Sequence, residues 1–135
     1  MTELAPQDLV DSLMPPRPGT PGGPPRVMRV VLEGELGKAE HLDLSRLLFR
    51  LTQAHVHRVV LDLSGVSHFD YRGVRPLIRR AEVFRELGGD VRLCGLSPYL
   101  FAIFQSAGAS EAFDYYATQE DAVASFERGI FVEGR

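Results

Sequence analysis

Apolar residues along this chain follow two alternating rhythms. Val27-Met28-Arg29-Val30-Val31-Leu32-Glu33 is β-branched and apolar and stops at Gly34, which predicts a strand. Ala39 to Ala54 places Leu44, Leu47, Leu48 and Leu51 at i, i+3, i+4 and i+7, one face of a helix. Arg58 to Leu63 reads as a second strand ending at a Ser64-Gly65 turn. Gly73 to Leu87 repeats the helical spacing through Val74, Leu77, Ile78, Ala81 and Phe84, and Gly88-Gly89 closes it as a C-cap pair. Asp90 to Cys94 is a third strand. Ser97-Pro98 has the form of an N-cap and first helical residue, followed by Leu100, Phe101, Phe104 and Ala107 on the inner side and Gly108 at the end. Ala112 to Tyr116 reads as a short fourth strand. Thr118 caps a last helix that buries Ala122, Val123 and Phe126 and stops near Gly129.

Strands alternating with helices of this length imply parallel strands joined by right-handed crossovers. Strands covered on both faces are apolar throughout, whereas one-sided sheets alternate. Here Met28, Val30, Leu32, Val59, Leu61, Leu63, Val91, Leu93, Phe113 and Tyr115 define one apolar face. The other face receives Arg29, Val31, Glu33, Arg58, Val60, Asp62, Arg92, Cys94 and Asp114. Helices are therefore expected on one face only, with a narrow apolar band of Val31, Val60 and Cys94 across a half-polar second face. A doubly wound nucleotide-binding fold is disfavoured, since neither G-x-G-x-x-G nor G-x-x-x-x-G-K-[ST] occurs.

Composition divides the chain. Of nine prolines in 135 residues, seven lie in the first 25, ending in Gly-Thr-Pro-Gly-Gly-Pro-Pro. Residues 1–25 are thus expected to form a disordered or extended Pro/Gly-rich tail, and 26–132 the domain. Within the tail, Leu9, Val10, Leu13 and Met14 carry a faint helical rhythm over Ala5 to Met14. No signal-peptide pattern and no membrane-length apolar run are present, so a cytoplasmic location without membrane insertion is expected. A net charge of −3 gives no general attraction for nucleic acid. The single cysteine, Cys94, permits no intramolecular disulfide and no cysteine-cluster metal site. His55 and His57, or Ser64, Ser67, His68 and Asp70, form neither a convincing ligand set nor a triad, and no metal or cofactor is expected.

The segment Val59-Val60-Leu61-Asp62-Leu63-Ser64-Gly65-Val66-Ser67-His68-Phe69-Asp70-Tyr71-Arg72-Gly73-Val74 carries the most information. Asp70 suits the head of a helix, where a carboxylate satisfies free N–H groups and complements the dipole. The run resembles the STAS family, the domain of anti-sigma-factor antagonists and sulfate transporters. Its bacterial members carry a strand ending in Asp-Leu-Ser and an Asp-Ser-Ser/Thr-Gly turn into a helix. Gly34-Glu35-Leu36, Gly88-Gly89, Ser97-Pro98 and Gly108 extend the resemblance over residues 27 to 128. It implies an α/β fold with a mixed, mostly parallel sheet of four to five strands and helices on one face. It also implies a protein-binding module rather than an enzyme. In such antagonists the residue after the turn aspartate is a phosphorylated serine or threonine. Here Tyr71 holds that position and Arg72 replaces the next hydroxyl, so the usual phosphoswitch is not expected.

An aromatic ring beside a guanidinium at a helix start suits an interface. The expected partner surface therefore comprises Ser67, His68, Asp70, Tyr71, Arg72, Gly73, Arg75 and Arg79, and Arg80 and Arg85 extend its basic strip. The resemblance implies three partner classes: an anti-sigma or kinase-like regulator, a signalling assembly, or the ATPase subunit of a lipid-transport ABC complex. The alternative of a different class is a sensor that binds a nucleotide or other anion at the helix start. Prolines are poorly suited to add a strand before Val27, so that strand is expected to be an exposed edge, open to a homodimer or an added partner strand.

Overall fold

The computed structural model describes residues 27–133, with side chains through Glu127; the proline-rich segment and the helical rhythm at Ala5 to Met14 lie outside the described residues. The chain forms β1 (Met28–Leu36), α1 (Lys38–Gln53), β2 (Arg58–Phe69), a 3-10 turn (Tyr71–Gly73), α2 (Val74–Glu86), β3 (Asp90–Cys94), α3 (Pro98–Ser106), β4 (Tyr115–Tyr116) and α4 (Gln119–Glu133). The four strands make one sheet in the order β1-β2-β3-β4, and each neighbouring pair is parallel. A parallel pair needs a crossover long enough to return the chain to the same end of the sheet. Three helices, α1, α2 and α3, supply those crossovers in turn.

Side-chain periodicity sets the layers. Alternate strand residues Val30, Val59, Leu61, Val91 and Leu93 point into the main core, where Leu44, Leu47, Leu48 and Leu51 of α1 meet them together with Leu77, Ala81 and Phe84 of α2 and Leu100 and Phe104 of α3. Each fully buried Leu or Phe contributes about 1.5–3 kcal/mol relative to exposure. Helix starts are capped as their residues allow. Glu40 accepts a hydrogen bond from the Gly37 amide at 3.0 Å, the Ser97 hydroxyl accepts from the Leu100 amide at 3.1 Å, and Thr118 accepts from the Asp121 amide at 3.1 Å.

The α/β class and the parallel four-stranded sheet agree with the expectation, and among the described residues no antiparallel strand is present. Four details differ. First, Ser64-Gly65 is no turn: β2 continues to Phe69 and β1 passes Gly34 to Leu36, paired as Gly34 with Val66 and Leu36 with Phe69. The ladder absorbs extra β2 residues at irregularities between Val31 and Glu33 and between Gly34 and Glu35, and such bulges keep a strand running through residues that otherwise signal a turn. Second, β4 is confined to Tyr115–Tyr116, because Ala109 to Asp114 is taken up by a turn in which the Ala112 amide bonds the Ala109 carbonyl.

Third, helices do not all share one face. The layer of α1, α2 and α3 matches the expectation, but α4 crosses the other side, where Ala122 and Phe126 bury Val60 and Cys94 in a second small cluster. The apolar band on that face is thus covered except at Val31, which remains 50% exposed. Fourth, Arg80 and Arg85 are tied into the scaffold. Arg80 donates to the Ser45 hydroxyl at 3.2 Å, while Arg85 pairs with Asp90 at 2.8 Å and donates to the Ala112 carbonyl at 2.6 Å.

Candidate functional site

The lengthened β2 delivers His68, Phe69 and Asp70 to the carboxyl end of the sheet, immediately before the 3-10 turn. The Asp70 amide donates to the Leu36 carbonyl at 3.0 Å, which fastens the turn to the end of β1. One Asp70 carboxylate oxygen, Oδ1, accepts from the Arg72 amide at 3.0 Å and from Arg72 Nε at 3.1 Å; Oδ2 accepts from Arg72 Nη2 at 2.8 Å. The hydrogen bonds and charge of Arg72 hold the Asp70 carboxyl down at about 2. Asp70 is therefore the N-cap that its position suggested, and it also folds the next guanidinium back onto itself. With Arg72 turned back, the Tyr71 ring is left 62% exposed.

Beneath the turn lies His41 of α1. Its ring meets Phe69 edge-on at a centroid separation of 4.4 Å, and a Cβ added at Gly73 would come within 2.4 Å of it. Gly73 has an ordinary negative φ, so it is this close approach to the ring, and not a left-handed conformation, that calls for a residue without a side chain. His41 Nε2 is buried with no hydrogen-bond partner among the described residues. Burial lowers the His41 pKa, opposed by the charges and backbone around Asp70 and by Glu40.

Two open clefts flank the turn. One, of about 520 Å³, is lined by His68, Phe69, Asp70, Tyr71, Arg72, Tyr99 and Ile103. The other, of about 540 Å³, lies between Tyr71, Arg72, Arg75, Pro76 and Arg79 on one side and Ser106 to Gly108 on the other. Tyr71 and Arg72 are shared by both. In the first cleft His68 Nδ1 and the Tyr99 hydroxyl are 2.7 Å apart, joining the end of β2 to the start of α3. In the second, Arg75 and Arg79 stand one helical turn apart on the exposed side of α2.

Of the residues expected at this surface, His68, Asp70, Tyr71, Arg72, Arg75 and Arg79 line one cleft or both. Ser67 is exposed on β2 but lines neither, and Gly73 is buried against His41. Sequence reasoning missed three participants. Tyr99 and Ile103 lie four residues apart on α3, a spacing that marks one helix side, but the inner positions Leu100 and Phe104 dominate that pattern. Nothing in the sequence links His41 to the turn.

Elsewhere the polar groups serve the scaffold. Burial works against the Asp62 carboxylate, yet hydrogen bonds from the Ser64 amide at 2.9 Å and the Gln119 amide at 2.8 Å leave its pKa lowered. Burial beside Asp62 pushes the Cys94 thiol up to about 12. Among the described residues, no three His, Cys, Asp or Glu side chains converge as a metal site requires.

Comparison with known proteins gives this geometry its relatives. A Bordetella bronchiseptica protein assigned as an anti-sigma factor antagonist, BtrV, is 27% identical over 99 residues, covering 73% of this chain and 85% of its own. The structure of the anti-sigma factor antagonist SpoIIAA in its unphosphorylated form superposes with a TM-score of 0.67 at 21% identity, over 77% of this chain and 90% of that one. The STAS domain of a SulP transporter from Vibrio cholerae superposes with a TM-score of 0.63 at 20% identity, over 84% and 91%. The STAS domain profile matches residues 23–122, a span that holds the whole sheet, the turn at Asp70 and both clefts. The chain belongs to the STAS domain family.

Proposed function

We propose that this protein is a regulatory binding module of the anti-sigma-factor-antagonist type. In this reading it captures a protein partner with the Asp70–Arg72 turn and the two clefts beside it, without the usual serine or threonine switch. The observation that carries the reading is the exposed Tyr71, shared by both clefts and flanked by the paired Asp70 and Arg72. Tyrosine and arginine concentrate binding energy at interfaces because each combines a large contact area with a directional polar tip. The name of the Bordetella relative, an anti-sigma factor antagonist, supports an anti-sigma or kinase-like regulator as the partner, ahead of a signalling assembly or an ABC ATPase subunit.

The arrangement favours binding over catalysis. Cys94, the one thiol, is buried with a raised pKa, and His68 is engaged with Tyr99. It also favours a protein partner over a nucleotide or other anion. An anion at a helix start needs free N–H groups, and here the Asp70 carboxylate already occupies that place and takes up the nearest guanidinium. Among the described residues no helix is long and apolar enough to cross a membrane.

The test is co-purification from the native cells, identification of the partner, and titration of that partner against the wild type and the Tyr71→Ala/Arg72→Ala double variant. Loss of at least about tenfold in affinity with an unchanged circular dichroism spectrum supports the surface. Unchanged affinity sinks it. A thermal shift with nucleotides, absent in Arg75→Ala/Arg79→Ala, would instead favour the sensor.

A further inference from the structure

We propose that the free edge of β1 is a homodimer surface, on which two copies join antiparallel with each Val31 facing its counterpart. Among the described residues the sheet order is β1-β2-β3-β4, so β1 is paired there on one side only, and it is nine residues long against two for β4 at the opposite edge. An edge strand presents a row of unpaired N–H and C=O groups, a template for another strand. Natural edges are commonly protected by proline, lysine or a like-charged row; β1 has no proline and no lysine, and its charges are of opposite sign.

The side-chain rows select the register. From Met28 to Glu33 the burial alternates cleanly: Met28 and Val30 are buried, while Arg29, Val31 and Glu33 are exposed on the other face. The ladder irregularity between Val31 and Glu33 adds its residue to β2 and leaves that alternation intact. An antiparallel pair centred on Val31 sets Arg29 opposite the partner's Glu33, Val31 opposite the partner's Val31, and Glu33 opposite the partner's Arg29. The half-exposed apolar residue is thus buried between two opposite-charge pairs. On the other face Val30 meets the partner's Leu32, and the cores of two sheets become continuous.

Competing registers are poorer. A slip of one residue sets the core-facing row of one copy against the exposed row of the other. A slip of two sets Val31 against either Arg29 or Glu33. Gly34, with φ +82°, takes Glu35 out of the regular strand, so it does not replace Glu33 in the pattern. The chain's own first 26 residues are the other candidate for this edge, but seven prolines among them lack the N–H that a ladder requires.

Sedimentation of the full-length chain from about 5 to 500 μM tests this, because strand addition of this size is a weak to moderate association. Expected is a concentration-dependent shift from monomer to dimer. R29E and E33R each place like charges opposite one another twice and should weaken the dimer by about tenfold or more. The R29E/E33R variant restores both opposite-sign pairs and should recover dimerisation to near the wild-type level. Thermal melts of each variant keep loss of fold distinct from loss of pairing. A chain that stays monomeric throughout overturns the proposal, and with β1 amides protected from hydrogen exchange that result assigns the edge to the first 26 residues. Single variants that dimerise like wild type, or a double variant that fails to recover while still folded, overturn it as well.

Discussion

Arg72 turns back onto the carboxylate of Asp70, two residues earlier, through two side-chain contacts of 2.8 and 3.1 Å and one backbone hydrogen bond. A single carboxylate thereby caps the turn and fixes the direction of the neighbouring guanidinium. Asp70→Asn keeps an oxygen for the Arg72 amide but gives up the charge, whereas Asp70→Ala gives up both. Partner affinity should fall in that order, by up to about tenfold for Asp70→Ala, since charge-assisted hydrogen bonds are the stronger kind. With the carboxyl held at about 2, the pair is complete above the ordinary value of 3.8 and is lost only as pH falls toward 2. Binding measured by calorimetry should therefore show no contribution from this pair to any pH dependence between 5 and 8. A titration midpoint in that range that disappears in Asp70→Asn would contradict it.

Two glycines are required for different physical reasons, and a rescue experiment separates them. At Gly73 the obstacle to a Cβ is the His41 ring at 2.4 Å, a side chain. Gly73→Ala should cost about 2 kcal/mol, and His41→Ala should recover part of that cost in the double variant. At Gly89 the obstacle is the His57 carbonyl oxygen at 1.7 Å, which is backbone. Gly89→Ala should cost more than about 3 kcal/mol, and no change at position 57 should recover it. Urea denaturation of Gly73→Ala, His41→Ala, Gly89→Ala, His57→Ala and the two corresponding double variants reads both outcomes; equal rescue at the two positions would refute the distinction.

His41 gives the fold an acid sensitivity. Burial holds its pKa below the ordinary 6.5, so the folded state prefers the neutral ring, and between those two values the unfolded chain binds the proton more readily. Stability is full above 6.5 on this account and declines as pH falls through that value toward the folded pKa. Asp70 and Glu40 oppose the effect but do not reverse it. The melting temperature of wild type should accordingly drop more between pH 7.5 and 5 than that of His41→Gln. Parallel curves for the two proteins would rule out His41 as the source.

Cys94 should be silent in the native protein. Its thiol is fully buried under α4 and its pKa lies at about 12, against an ordinary 9.0, which leaves about a thousandfold less thiolate at pH 8. Labelling with an aromatic disulfide reagent should be slow in buffer and rapid in denaturant. Phe126→Ala, which opens the cover over Cys94, should speed the native reaction without unfolding the main core. A native rate equal to the denatured rate would show that α4 does not protect this face.

The amino-acid sequence by itself determined the order and type of the elements, because leucines at i, i+3, i+4 and i+7 and alternating strand residues can bury an apolar face in only one way each. The Asp70 and Ser97 caps were equally legible, since capping is a local bond between a side chain and an amide two or three residues on. Tyr71 and Arg72 could be named as surface residues from the departure they make at the turn. Contacts between distant segments could not be read. Ser64-Gly65 looks like a turn until β1 is present to pair with it, and Arg80 and Arg85 look like free charges until Ser45, Asp90 and Ala112 reach them. The seat of His41 under Gly73, the His68–Tyr99 bond and the covering of Val60 and Cys94 by α4 likewise join residues far apart in the chain. Periodicity records which way a side chain faces relative to its own backbone; what it faces is decided only when the segments pack.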